Sequence, residues 1–146
     1  MNRIITYLTF NGNCRCAMEF YHECLGGELH LQTLGDSPLN EELPESFKNC
    51  VVQASLKIND LVIMGTDMVE EQGLVRGNAM SMLIDCNSEL EMRDYYEKLS
   101  EGGQSVHPIE KNYWGALFGG LIDKFGNRWL FNFKFENTLV NGRSPR

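Results

Sequence analysis

FYHECLGG, Phe20 to Gly27, ends in two adjacent aromatics, a leucine and a glycine pair; YYEKLSEGG, Tyr95 to Gly103, does the same in the other half of the chain. Outward from the first copy, Cys14, Ala17, Met18, Tyr21 and Leu25 recur at spacings of three and four, which predicts one apolar helical stripe. Asn13 stands where an N-cap is needed. Gly26-Gly27 closes the helix, because a left-handed C-terminal residue costs glycine little. Upstream, Arg3 to Phe10 has a strand pattern broken by NGN. Downstream, ELHLQTL reads as a strand, and Gly35 to Asn49, with two prolines and several acids, as a loop. VVQASLKI and LVIMGT then form a hairpin around Asn59-Asp60.

The second copy sits in the same surroundings. AMSMLIDC predicts a strand, Ser88 with Glu91 a capping box, and Met92, Tyr95, Tyr96 and Leu99 the next helical stripe. Gly102-Gly103 ends it, QSVHPI is a short strand, and two more strands flank the DKFGN turn. The competing reading is a chance likeness of two amphipathic helix ends. A strand–helix–three-strand unit used twice explains both segments with one architecture. The expected organisation is a first βαβββ module over 1–67, a linker over 68–78, a second module over 79–135, and a poorly ordered tail over 136–146. The fold class is α+β.

A chain of 146 residues fits one domain, or two repeated halves sharing a core. Its net charge of −7 and isoelectric point near 4.9 argue against nucleic acid or an anionic membrane as partner, and leave a neutral or cationic small ligand compatible. No run approaches the roughly 18 apolar residues of a membrane span. MNRIITYLTF is too short and too polar for a secretory signal, so the expected location is the cytoplasm. Five cysteines, an odd number with no CxxC, read as free thiols of a reducing compartment. Cys14 and Cys24 fit the apolar helix face.

YLTFNGNCRCAMEFYHECLGGEL (Tyr7 to Leu29), GTDM (Gly65 to Met68) and YWGALFGGLIDKFGNRW (Tyr113 to Trp129) resemble, in this order, the vicinal oxygen chelate superfamily, and within it the PhnB-like branch. The superfamily holds glyoxalase I, extradiol dioxygenases and the bleomycin- and fosfomycin-resistance proteins. The resemblance covers residues 3 to 135. It implies two βαβββ modules curled into a cup-like mixed sheet with helices outside, often completed by a homodimer. In the metalloenzymes a divalent metal in the cup is held by His, Glu or Gln from both modules, and the substrate chelates it through neighbouring oxygens.

Strand alternation locates the cup face independently, since successive side chains point to opposite sides of a sheet. In VVQASLKI, Val52, Ala54, Leu56 and Ile58 are assigned to the helix side, leaving Val51, Gln53, Ser55 and Lys57 opposite. Tyr7 and Thr9 oppose Leu8 and Phe10; Ala79, Ser81 and Leu83 oppose Met80, Met82 and Ile84; Leu130 and Asn132 oppose Trp129, Phe131 and Phe133. The family's ligand positions fall near Tyr7 (or Thr6), Gln53, Ala79 or Ser81, and Leu130. Of these only Gln53 has a donor of the usual sort, whereas a Zn²⁺ or Ni²⁺ site needs several converging donors. No metal site is therefore expected. His22, His30 and His107 share no ligand spacing and read as solvent-facing; a catalytic role for His107 has no support in the sequence.

Members of this branch are sometimes labelled methyltransferases, but no glycine-rich loop follows a first parallel strand to hold a nucleoside cofactor, and no cofactor is expected. A phosphate cradle and a GxSxG elbow are missing as well. The expected ligand pocket has apolar walls from Tyr7, Trp114, Phe118 and Leu130, and neutral hydrogen-bonding groups from Thr9, Gln53, Ser55, Ser81 and Asn132. Trp114 and Phe118 have a second reading, as core or dimer-contact residues. These residues point to a metal-independent protein that binds a small organic molecule, working as a homodimer, with no catalytic residue assigned. The alternatives are a divalent-metal-dependent enzyme of the superfamily (a glyoxalase-like lyase, a dioxygenase or an antibiotic-modifying enzyme) using Gln53, and a pure interaction scaffold.

Overall fold

The computed structural model describes residues 2–135 and places their strands in two four-stranded sheets. The chain divides into two compact units, one ending at Arg76 and the other starting at Gly77. The first unit runs β1 (Thr6–Thr9), α1 (Cys14–Leu25), β2 (Glu28–Thr33), a one-turn helix α2 (Glu45–Lys48), β3 (Val51–Ile58) and β4 (Leu61–Thr66). The second runs β5 (Met82–Asp85), α3 (Glu89–Ser100), β6 (Gln104–Lys111), β7 (Ala116–Ile122) and β8 (Arg128–Lys134). Strand order is β1-β4-β3-β2 in one sheet and β5-β8-β7-β6 in the other. In each unit the first and last strands pair in parallel, and the remaining neighbours are antiparallel. The fold is α+β, with mixed sheets and the βαβββ order used twice.

A helix of 12 residues is marginal alone, so α1 depends on the face it buries. All five residues of the expected stripe are buried, together with Phe20 and Cys24. They face Ala54, Leu56, Ile58 and Ile63, and the leucine and each isoleucine are worth at most about 1.5–3 kcal/mol when fully buried. Gly65 sets the approach of the helix. A Cβ there would lie 3.1 Å from Cys14 Sγ and 3.3 Å from Met18 Sδ.

The cap of α1 differs from the sequence expectation, for Asn13 makes no side-chain cap bond. Asp67, just past β4, supplies it. Its Oδ1 accepts from the Gly12 and Cys14 amides at 3.0 and 2.9 Å, and its Oδ2 from the Val51 amide at 3.0 Å. An ionised carboxylate at a helix N-terminus forms stronger bonds than a neutral amide would.

In the second unit Met92 and Leu99 are buried and Tyr95 and Tyr96 half-buried, over Ile84, Leu117, Leu121, Trp129 and Phe131. The capping box is shifted by one residue. Ser88 Oγ accepts from the Glu91 amide as expected, but the Glu91 carboxylate takes the amide of Asn87. Asp123, buried in the DKFGN turn, accepts from the Phe125 and Asn127 amides through Oδ1 and from the Trp129 indole N–H through Oδ2 at 2.8 Å.

The repeated glycine pairs do the same work in both units. Gly26 and Gly102 hold φ of 79° and 73°, which favours glycine. A Cβ on Gly27 would run into the carbonyl oxygen of Lys57 in β3, and one on Gly103 into that of Ile122 in β7. Lys57 pairs with Glu28 and Ile122 with Gln104, the first residue of each returning strand. The close contact is therefore where the chain leaves the helix and enters the sheet.

Several boundaries are shorter than expected. β1 covers only Thr6–Thr9, and Ile4 is fully exposed. β5 begins at Met82, opposite Trp129, because its partner β8 extends only back to Arg128, next to the turn; Ser81 therefore lies before the strand. Val51, assigned to the open face, is fully buried: the register shifts between Gln32 and Thr33, and its amide is drawn onto Asp67. The expected loop after β2 contains α2 and two 3₁₀ turns. The tail, 136–146, lies outside the described residues.

The two glycines of the first pair should respond differently to alanine. At Gly26 a Cβ meets nothing within 4 Å, so only backbone strain of about 1–2 kcal/mol applies. Gly27→Ala adds a steric conflict with backbone, raising the expected loss to about 2–5 kcal/mol. Urea unfolding of both variants measures the difference, and equal losses would refute the steric account.

Candidate functional site

Each sheet has a helix on one face, and the alternation of side chains sends a second set to the other. In the first unit Tyr7, Met64, Ser55 and His30 stand in one cross-strand row through the observed register. Thr9 and Gln53 lie on the same face, with Gln53 directly opposite Gln32. Of the expected pocket residues, Tyr7, Thr9, Gln53 and Ser55 are thus brought together on one surface. Tyr7 and Gln53 are exposed, and Thr9 and Ser55 are intermediate.

In the second unit two rows cross the uncovered face. One is Leu83, Leu130, Gly120 and His107; the other is Asp85, Asn132, Phe118 and Glu110. Phe118, Leu130 and Asn132 are therefore neighbours, as the alternation predicts. Leu130 and His107 close over Gly120: a Cβ there would lie 2.8 Å from Leu130 Cδ2 and 3.4 Å from His107 Cδ2. Asn132 Nδ2 donates to Asp85 Oδ1 at 2.9 Å, across the parallel pair. The β6 register shifts on both sides of His107. Irregular pairing of this kind turns a side chain away from its regular direction. Tyr96 holds the irregularity in place, its hydroxyl lying 2.9 Å from His107 O and 3.0 Å from Gly120 O and also bonding Ser105.

Two expected pocket residues are not on these surfaces. Ser81 precedes β5. Trp114 lies in the β6–β7 turn, edge-to-face with Tyr113 at 6.4 Å, and is 85% exposed. That exposure overturns its reading as a core residue. Conversely, Asp85 and His107 share the face with the expected residues and were not assigned to it from the sequence. Asp85 was within reach, because the series Ala79, Ser81, Leu83 continues to it with the same period of two. His107 was not, because the shifts around it break that period.

Among the described residues no group of three or more His, Cys, Asp and Glu is placed to hold a metal ion. Of the positions that the superfamily uses as ligands, Tyr7, Gln53 and Leu130 lie on strands, and Leu130 has no donor atom. These residues do not fit a Zn²⁺-type centre.

The helix N-termini do not fit a nucleoside methyl donor either. The first amide of α1, that of Cys14, is occupied by Asp67, and that of Glu91 in α3 by Ser88. The buried thiols of Cys14 and Cys86 are poor nucleophiles as well. Burial, then the nearby Asp67 and Cys50, push Cys14 up to about 12. Burial, then Glu91 and Asp85, push Cys86 to about 11. What the uncovered faces offer is a mixture of apolar area and hydrogen-bonding groups.

Comparison with known proteins agrees with this architecture. The model of the family described as 3-demethylubiquinone-9 3-methyltransferase matches residues 2–131. Protein PA1353 from Pseudomonas aeruginosa is 32% identical, with a TM-score of 0.78 over 92% of this chain and 98% of that one. The putative 3-demethylubiquinone-9 3-methyltransferase, PhnB protein, from Bacillus cereus is 24% identical, with a TM-score of 0.70 over 90% and 99%. A glyoxalase/bleomycin resistance protein/dioxygenase family enzyme from Burkholderia phytofirmans shares the fold at 9% identity, with a TM-score of 0.62 over 90% and 97%. The chain belongs to the family described as 3-demethylubiquinone-9 3-methyltransferase, and it shares its fold with the glyoxalase/bleomycin resistance protein/dioxygenase family enzyme from Burkholderia phytofirmans.

Proposed function

We propose that this protein binds a small organic molecule on its uncovered sheet surfaces and needs no metal to do so. The observation that carries this reading is the second unit's open face, where Leu83, Leu130 and Phe118 form an apolar floor beside Asn132, Asp85 and His107. A few polar groups around apolar area is the composition of small-molecule sites. The first unit's open face, taken by itself, presents Gln53 and Ser55 as neutral hydrogen-bonding groups. No helix among the described residues is long and apolar enough to cross a membrane; with the unpaired cysteines, this supports action in the cytoplasm.

A thermal-shift ligand screen followed by two variants tests the reading. Leu83→Ala should leave stability nearly unchanged, because the side chain is 56% exposed, and weaken binding by about 1–3 kcal/mol where a ligand covers it. Gln53→Leu should cost a polar ligand about 0.5–1.5 kcal/mol without disturbing folding. Unchanged affinity in both variants would remove these residues from the site. An unproductive screen over neutral, cationic and anionic compounds would sink the binding function itself.

A metal-dependent enzyme of the same superfamily makes the opposite forecast for metal content. Elemental analysis after purification without a histidine tag should find no stoichiometric transition metal, and a chelator should leave the melting temperature in place. One tightly held Zn²⁺ or Ni²⁺ per chain would reverse the reading, since a bound metal raises apparent stability.

The protein is also proposed to pair as a homodimer. Tyr7, Leu83 and Trp114 are large apolar side chains that remain more than half exposed, and β1 and β5 are sheet edges in their own units. Exposed edges and apolar surface are commonly protected by symmetric association. Light scattering at micromolar concentration should give twice the chain mass, and a monomer mass would end this proposal.

A further inference from the structure

Asp85 is the acidic residue that the uncovered face of the second sheet sets directly beside its apolar floor. It sits at the exposed end of its row, and Asn132 holds its Oδ1 at 2.9 Å. Its Oδ2 takes no hydrogen bond among the described residues. Beside it lies Leu83, 56% exposed, then Leu130, which with His107 closes over Gly120. The other charged groups on this face stand farther out. Glu110 ends the same row beyond Phe118, and Arg128 and Lys134 occupy the two ends of β8, one row outside the central pair.

A carboxylate accepts hydrogen bonds and donates none, so the polar group it receives must be a donor. The floor beside it is apolar, formed by Leu83, Leu130 and Phe118. We propose that Asp85, oriented by Asn132, is the anchor of this face, and that it selects molecules with a flat apolar body and an amine or hydroxyl donor over their anionic counterparts. This inference rests on the small-molecule reading above and narrows it to a chemical class. Asn132 acts as a positioning residue. It fixes one carboxylate oxygen so that the other points at the ligand without the loss of side-chain freedom that binding would otherwise require.

Three probes with the same ring system test this: tryptamine, an ammonium; tryptophol, a neutral hydroxyl; and indole-3-acetate, an anion. Affinities are measured by calorimetry and located by amide shift changes in labelled protein. The expected result is binding of tryptamine and tryptophol with shifts at Leu83, Asp85, Gly120 and Asn132, and binding of indole-3-acetate at least about tenfold weaker, the difference expected when a charge-assisted bond is lost. Asp85→Asn should weaken tryptamine about tenfold and remove the preference. Asn132→Leu, which leaves the carboxylate in place, should reduce the preference without abolishing it, and a melting curve confirms that each variant is folded.

Equal or tighter binding of indole-3-acetate would show that Arg128 and Lys134 govern the face and would overturn the proposal. Retention of the preference in Asp85→Asn, or shifts confined to other surfaces, would do the same. If none of the three probes binds while the broad screen yields a ligand of another class, the proposal fails and the binding function stands. If neither yields a ligand, both fail.

Discussion

Three backbone amides that would otherwise lack partners converge on the carboxylate of Asp67. They belong to the turn after β1, the first residue of α1 and the first residue of β3, while the Asp67 amide itself returns to Val51 O at 2.8 Å. One side chain thus settles where the helix begins, where the third strand begins and where the fourth ends. Leaving such amides unpaired would cost about 1–3 kcal/mol each, comparable to a good part of a small domain's net stability. The parallel pairing of β1 with β4 brings these points together, and Asp67 locks them. The second unit meets the same need locally, with Ser88 and Glu91 capping α3.

This contrast explains what the sequence disclosed and what it did not. Spacing alone located four features: the buried stripe of α1, the glycine stops, the hairpin around Asn59-Asp60 and the helix side of β8. These are short-range properties, set by a period of two or 3.6 along one segment. The cap of α1 was misassigned to Asn13 because its true partner is 53 residues away from Cys14 in sequence. The inward turn of Val51 escaped for the same reason, being caused by Asp67 and a register shift that no local pattern announces.

The site shows the same division. Tyr7, Gln53, Ser55, Phe118, Leu130 and Asn132 could be placed on uncovered faces from alternation alone, because uninterrupted strands keep their parity. Ser81 could not, since the length of β5 is decided by how far β8 reaches. His107 lies between two shifts of register, so its direction depends on Tyr96, a residue of the neighbouring helix. That Leu130 carries no donor atom was legible at once, because residue identity needs no geometry. That Asp85 and Asn132 meet could not be read locally, because it requires the pairing of β5 with β8.

The chain has two tryptophans, and the fold gives them opposite surroundings. Trp129 is 1% exposed with its indole N–H held by Asp123, whereas Trp114 is almost fully in water at the tip of a turn. Their fluorescence is correspondingly separable. The solvated indole emits to the red and is open to collisional quenching by iodide, while the enclosed one is shielded from it. The molecule therefore contains two optical reporters, one following the integrity of the second unit's core and the other following events at its surface, with no label added.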